Sequence, residues 1–235
     1  MTAPAPTSDR PVIRLRPKMD TRRIRHGFPW AYANEVVTDR RTKAMVPGTI
    51  AVLEDSHRTP LALVAVNPAS KIIARVVDMD VSAEINSEWF ATRLARALDL
   101  RTRLFDAPFY RLIHAEADGL PGVVIDRFDD VLVIQPNAAW ADARLDMLAE
   151  AAMAVTGART VLKNAAGRAR SLEGLDDVSS VLQGAAPEGP IPVPMNGAIY
   201  MADVMGGQKT GLFYDQRPNH AFAAGLARDA RVLDM

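Results

Sequence analysis

The stretch YRLIHAEADGLPGVVIDRFDDVLVIQ, residues 110–135, sets three apolar, β-branched runs between turn signals. Asp118-Gly119 and Pro121-Gly122 separate YRLIHAE from GVVIDRF, and Asp129-Asp130 separates GVVIDRF from VLVIQ. Such spacing predicts a hairpin followed by a third strand, because glycine and proline supply the backbone angles that a reversal needs. Upstream, Ser87 is placed to cap a segment whose apolar positions Phe90, Leu94, Ala97, Leu98 and Leu104 recur at helical spacing. Arg93, Arg96, Arg101 and Arg103 fall between them, so the segment reads as a helix with one wet, basic face. Downstream, a second helix is predicted over about 139–155 and closed by Gly157, followed by a strand in TVLKN (160–164) and a Gly/Pro-rich connection, GAAPEGPIPVP (184–194). Residues 85–200 therefore read as a central α+β domain.

Nearer the N-terminus the texture is different. Residues 1–10 are small, Pro-containing and aperiodic, and read as a flexible lead-in. The runs VIRLR, GTIAVLED, LALVAV and KIIARVV are short and β-branched, and they are separated by Pro47-Gly48, Ser56-His57-Arg58 and Asn67-Pro68-Ala69. They predict a small, all-β, antiparallel barrel or sandwich over 11–80. Residues 201–235 contain a polar loop, a helical run AFAAGLARDA and the ending RVLDM, in which an apolar strand opening finishes in an acid. In nucleotide-type folds such a strand runs into a glycine-rich turn, so the chain is expected to be the N-terminal portion of a longer protein.

Lys and Arg total 28 against 28 Asp and Glu, yet residues 1–43 hold ten basic and four acidic side chains, an excess of six that the remainder reverses. A polyanion such as RNA should therefore be drawn to the N-terminal part. The absence of cysteine excludes disulfides, thiolate metal sites and a cysteine nucleophile within these residues. No long uncharged apolar run and no secretory h-region occur, so no membrane partner and a cytoplasmic location are expected.

Three constellations carry candidate chemistry. Arg22, Arg23, Arg25 and His26 stand beside Phe28, Pro29 and Trp30, a mixture suited to tracking phosphates and stacking bases, although Trp30 by itself reads as a core residue of the small β domain. His114, Glu116 and Asp118 would share one strand face at a period of two. They read as structural, Asp118 as a turn residue and Glu116 as a cross-hairpin partner of Arg127 or Arg111, so no catalytic residue and no metal ligand is assigned. The loop MGGQKTGLFYDQRPNH crowds donors, acceptors and aromatics between glycines, as a loop closing on a nucleotide-like ligand does, but its QKTG lacks the spacing of a Walker A loop.

Taken together these segments resemble a family. HGFPWAYANEVV (26–37), VNPASKIIARVV (66–77), the hairpin of residues 110–135, GGQKTGLFYDQRPNH (206–220) and RVLDM are similar to the N-terminal two-thirds of class I S-adenosylmethionine-dependent RNA methyltransferases that begin with a PUA domain, the group containing a bacterial 23S rRNA cytosine-C5 methyltransferase. The resemblance implies an α+β chain in which a PUA-like barrel precedes the central domain and only the start of a Rossmann-like methyltransferase domain follows. It implies S-adenosylmethionine as cofactor and ribosomal RNA as partner, and it leaves a homodimer open. Lys209, Thr210, Phe213, Asp215 and Arg217 match the loop beside the cofactor, and Asp234 the acid that ends the first Rossmann strand. His26-Gly27 inverts the family's Gly-His order, and the cysteine with which C5-methylating members attack cytosine C6 has no counterpart here. A non-catalytic RNA-binding module is the competing expectation.

Overall fold

A computed structural model describes residues 10–206 and 210–233. The first sheet contains β1 (Val12–Arg14), β2 (Trp30–Ala31), β3 (Thr49–Glu54), β4 (Pro60–Val66) and β5 (Ala74–Asp78), in the order β1-β3-β4-β5-β2. Two one-turn helices interrupt it, α1 (Arg22–Arg25) and α2 (Arg40–Lys43). β1 and β3 pair in parallel, against the antiparallel expectation, because α1, β2 and α2 lie between them and carry the chain back to the same end.

β4 explains why this sheet does not stand alone. Leu61, Ala62, Leu63, Val64, Ala65 and Val66 are all buried, which a strand with one wet face cannot achieve. Ala62, Val64 and Val66 join Ile13, Leu15, Ile24 and Ile73 in the core of the β domain. Leu63 and Ala65, with Val52 and Val77, face the other way into the large central core. The seam between the two predicted domains is thus a continuous apolar layer.

That larger core is built on a second sheet of order β10-β9-β8-β7-β6: β6 (Phe109–His114), β7 (Val123–Phe128), β8 (Val131–Pro136), β9 (Thr160–Lys163) and β10 (Ser180–Gln183). β6, β7 and β8 form the antiparallel meander that the turn residues predict, with Gly119 and Gly122 both left-handed at φ 74°. A one-turn 3-10 helix, Ala115–Asp118, enters the connection, so His114, Glu116 and Asp118 do not share a strand face. β8 and β9 are parallel across a helical crossover. On one face lies α3 (Ser87–Leu104), packed against the crossover.

The helices depart from expectation in instructive ways. Asn86, not Ser87, caps α3, its side chain accepting from Trp89 N–H at 2.9 Å. Leu104, the last residue of α3, is 63% exposed and lies outside the buried face of the helix. The predicted second helix is two, α4 (Ala139–Asp142) and α5 (Leu145–Thr156), with Gly157 ending α5 in the left-handed region. The break follows from Arg144, whose guanidinium donates to the carbonyls of Trp140 (3.1 Å) and Gly48 (3.3 Å), replacing a backbone donor that α-helix continuation would supply.

On the opposite face of the second sheet lies a ribbon of β11 (Ile191–Met195) and β12 (Ala198–Ala202), followed by α7 (Arg217–Leu226); α6 (Arg168–Glu173) follows β9. The last four residues of the Gly/Pro-rich connection therefore lie in β11, and β12 crosses residue 200, where the central domain was expected to end. Val193 and Met195 point into the core shared with Phe128, Val133 and Tyr214, while Pro192 and Pro194 stay exposed. An alternation with proline on the outer face is compatible with a two-stranded ribbon. Among the described residues no helix is long and apolar enough to cross a membrane.

Candidate functional site

The 110–135 hairpin is the junction from which both candidate surfaces are held. Asp118, Glu116 and Arg127 each reach a different element outside it. Asp118 accepts from both Nη atoms of Arg101 on α3 (3.0 and 2.6 Å) and from His114 N–H (2.7 Å). Glu116 accepts from Trp30 Nε1 (2.8 Å) and from Arg75 (3.3 Å), both in the β domain. These contacts correct the expectation that Glu116 pairs with Arg127 or Arg111. Arg127 instead donates to Thr156 O at the end of α5 (3.1 Å), where a helix leaves carbonyls unpaired. Arg111 is taken by Asp126 through two hydrogen bonds of 2.9 and 3.0 Å.

Trp30 is likewise not a core residue of the β domain. It is half-buried at the seam, its indole N–H held by Glu116 and its ring edge-on to Phe28 and Tyr32. Beside it, Arg75 bridges Glu116 and Glu173 (3.1 Å), and Glu173, 5% exposed, also accepts from Asn67 Nδ2 at 2.9 Å. Arg75 and Glu173 are not singled out by the sequence, and Asn67 reads there only as part of a turn. Asn67 and Glu173 are 106 residues apart, and no local periodicity announces such a pair.

The basic residues divide into exposed and engaged groups. Arg22, Arg25 and His26 are exposed, and α1 is anchored beneath them by buried Ile24. Arg23 donates to Glu35 at 3.0 Å and lies over the Phe28 ring at 4.0 Å, so it forms a fixed flat cation. On α3 the expected wet face is only partly wet: Arg101 is bound to Asp118, and Arg93 to Asp78 (2.7 Å) with its guanidinium over Trp89.

Residues 210–217 are seated on the hairpin's other side. Thr210 is fully buried and its hydroxyl donates to Asp126 Oδ2, which is itself buried. Burial works against the Arg111 charge, but the hydrogen bonds and charge of Asp126 outweigh it and raise the guanidinium above its ordinary value. Asp215, exposed, adds to the same field. Tyr214 donates to Arg127 O (2.8 Å), and burial, reinforced by the Asp126 charge, pushes its phenol well above the usual range. Arg217 donates to Phe109 O and lies 4.6 Å from the Phe105 ring centroid. Thr210, Tyr214 and Arg217 therefore position the loop. Phe213 is half-buried and Asp215 faces out, while Lys209 and Asp234 lie outside the described residues. Among the described candidate residues, only the half-buried Phe213 and the exposed Asp215 are left for a cofactor contact, too few to enclose one.

Known proteins share both halves of this arrangement. Residues 13–78 match a family model described as a PUA-like domain. The chain is 36% identical over 242 residues to a ribosomal RNA large subunit methyltransferase of Deinococcus radiodurans, covering 98% of this chain and 58% of that protein. It is 31% identical over 214 residues to ribosomal RNA large subunit methyltransferase I of Pseudoalteromonas translucida, covering 90% and 54%. The chain thus spans about half the length of the curated relatives it matches. Among solved structures, a Streptococcus mutans protein assigned as a SAM-dependent methyltransferase superposes with a TM-score of 0.75 at 16% identity, over 90% of this chain and 53% of its own. A second methyltransferase structure, complexed with SAH, gives 0.72 at 16% identity over 90% and 52%. At that identity the likeness is one of fold.

Proposed function

We propose that this chain is the RNA-binding and substrate-positioning part of an S-adenosylmethionine-dependent methyltransferase that acts on a base of large-subunit ribosomal RNA, with cytosine C5 as the target atom. The observation that carries the reading is the similarity, above 30% identity and across nearly the whole chain, to proteins named as large-subunit rRNA methyltransferases. The exposed Arg22, Arg25 and His26 on a PUA-like fold give that activity a place to hold its polyanionic substrate. S-adenosylmethionine, when bound, supplies the methyl group. Within this chain Asp215 and Phe213 would line one side of its site, with Lys209 and Asp234 as further candidate contacts from the sequence; residues 231–233 form no strand, against the reading of RVLDM as a strand opening. Asp126, Arg111 and Thr210 hold that loop to the hairpin. A cysteine for C5 chemistry would come from residues other than these, because the sequence has none. A cytoplasmic location and self-association as a homodimer accompany the reading.

Two measurements test it. Binding of a structured rRNA fragment should weaken steeply with salt, and charge reversal at Arg22 and Arg25 should flatten the log–log slope by about one unit per lost phosphate contact. A slope unchanged in the double variant would remove α1 from the RNA interface. By calorimetry, S-adenosylmethionine should bind the 235-residue chain weakly or not at all, since the described candidate residues are too few to enclose it. Tight binding would mean that the site is complete within these residues.

A further inference from the structure

The ribbon of β11 and β12 reverses at Asn196-Gly197, where alone in the sequence an asparagine is followed by glycine; the other six asparagines precede residues that carry a side chain. Both turn residues are exposed, and both have positive φ, 55° and 76°, the backbone of the tight two-residue reversal that this dipeptide favours. A Cβ built on Gly197 would meet nothing within 4 Å, so the peptide nitrogen beside it is sterically open. Among the described residues its N–H donates to no acceptor. The Asn196 amide is tied at one point, Nδ2 donating to Arg217 O at 2.8 Å.

Asp118-Gly119 presents the comparable atoms in the opposite state. The Asp118 side chain is 10% exposed and accepts from both Nη atoms of Arg101 and from His114 N–H. The Gly119 N–H is engaged as well, donating to Glu116 O at 3.1 Å. There neither the carboxyl carbon nor the neighbouring nitrogen can turn toward the other without breaking several bonds. At the ribbon tip a single hydrogen bond stands in the way, and opening one surface bond is among the least costly local motions of a fold.

We propose that Asn196 is a site of spontaneous covalent self-modification, and that its conversion releases the ribbon tip from the start of α7. The Gly197 nitrogen gives its proton to hydroxide and attacks Asn196 Cγ. The new C–N bond closes a cyclic imide while the Cγ–Nδ2 bond breaks, and Nδ2 leaves as ammonia. Water then adds to either imide carbonyl, giving aspartate or isoaspartate; the net change is amide plus water to carboxylate plus ammonium. Both products reverse the polarity of the tie: an ionised carboxylate only accepts, and it faces the Arg217 carbonyl oxygen, which also only accepts. Aspartate tolerates the left-handed backbone as asparagine does, so the turn survives in that product. Isoaspartate adds a methylene to the main chain and disturbs the Met195–Ala198 pair that closes the ribbon. Arg217 begins α7 and also donates to Phe109 O, so the lost tie bears directly on residues 210–217.

The test is incubation of the full chain at neutral and at mildly alkaline pH, followed by peptide mapping with mass spectrometry that separates aspartyl from isoaspartyl products. The mass increase of amide to acid is expected in the peptide containing residue 196 and not at the other six asparagines, faster at the higher pH, with Asp118 unchanged. Asn196→Gly, which accepts a positive φ and has no amide, should remove the signal. A synthetic peptide of residues 192–201 gives the reactivity of the same atoms without the fold. An Asn196 that stays intact in the protein while the peptide converts would overturn the site. Asn196→Asp reproduces one product directly, and limited proteolysis should cut it within residues 210–217 roughly two- to tenfold faster than the unsubstituted chain, the range of one lost hydrogen bond. Unchanged cleavage in that variant would overturn the release of the ribbon tip.

Discussion

Asp126→Ala is expected to destabilise the protein by about 3 kcal/mol or more, because it leaves a largely buried guanidinium unpaired and strands the Thr210 hydroxyl. Asp126 has no exposed surface, accepts both Arg111 hydrogen bonds, and also accepts from the buried Thr210 hydroxyl. For a domain of this size a loss of that order lowers the melting midpoint by roughly 10 °C, which calorimetry or thermal circular dichroism reads directly. The consequence for function is local. With Thr210 released, the 206–217 loop should become the first site of cleavage in limited proteolysis, and Thr210→Val should produce the same new site at a smaller stability loss of about 1 kcal/mol. If both variants are destabilised but cleaved elsewhere, Asp126 is a core residue of the hairpin and not the anchor of the loop.

Glu173→Ala should have an effect of similar size, about 3–5 kcal/mol, because it removes the acceptor at the centre of a buried polar cluster. Asn67 Nδ2 loses its bond to the carboxylate and keeps only the main-chain carbonyl of residue 173, and Arg75 keeps only Glu116. The cluster sits where the first sheet meets α6 and α4, so part of the loss should appear as altered placement of the two halves. A double-mutant cycle with Arg75→Ala is the check: direct partners in one network should couple by about 0.5–3 kcal/mol. Additive losses would show that Glu173 acts through Asn67 alone. A change in Trp30 fluorescence in either single variant would report the same seam, since Glu116 holds both Arg75 and Trp30.

Much of the architecture was legible in the sequence because its signals are local. Gly119 and Gly122 mark their turn since each sits at φ 74°, where a side chain is strained, and Gly157 ends α5 for the same reason. Phe90, Leu94 and Ala97 recur at helical spacing because one face of α3 is buried, and their burial follows the pattern. The basic excess of residues 1–43 gathers cations on one short segment, where Arg22 and Arg25 stand exposed. These features need only a few neighbouring residues.

Partnerships across the chain were decided by tertiary structure alone. Glu116 could satisfy the same electrostatics with Arg111, Arg127 or Arg75, all of suitable charge; the 3-10 turn aims it at Arg75 and Trp30 and leaves Arg111 to Asp126. LALVAV reads as a strand in any context, but that both of its faces are covered depends on a helix and a hairpin that begin tens of residues later. Thr210 looks like a ligand contact in a polar loop and becomes an internal anchor only because Asp126, 84 residues earlier, lies directly beneath it. Sequence by itself marked the strands of both sheets that carry clear β-branched runs, the turns at Gly119 and Gly122, the α3 helix and the place where positive charge gathers, since those depend on backbone preference and short-range periodicity. Which charges are neutralised, which aromatic rings stay available and which polar groups face outward depend on contacts between residues tens to more than a hundred positions apart, and only the packed chain settles them.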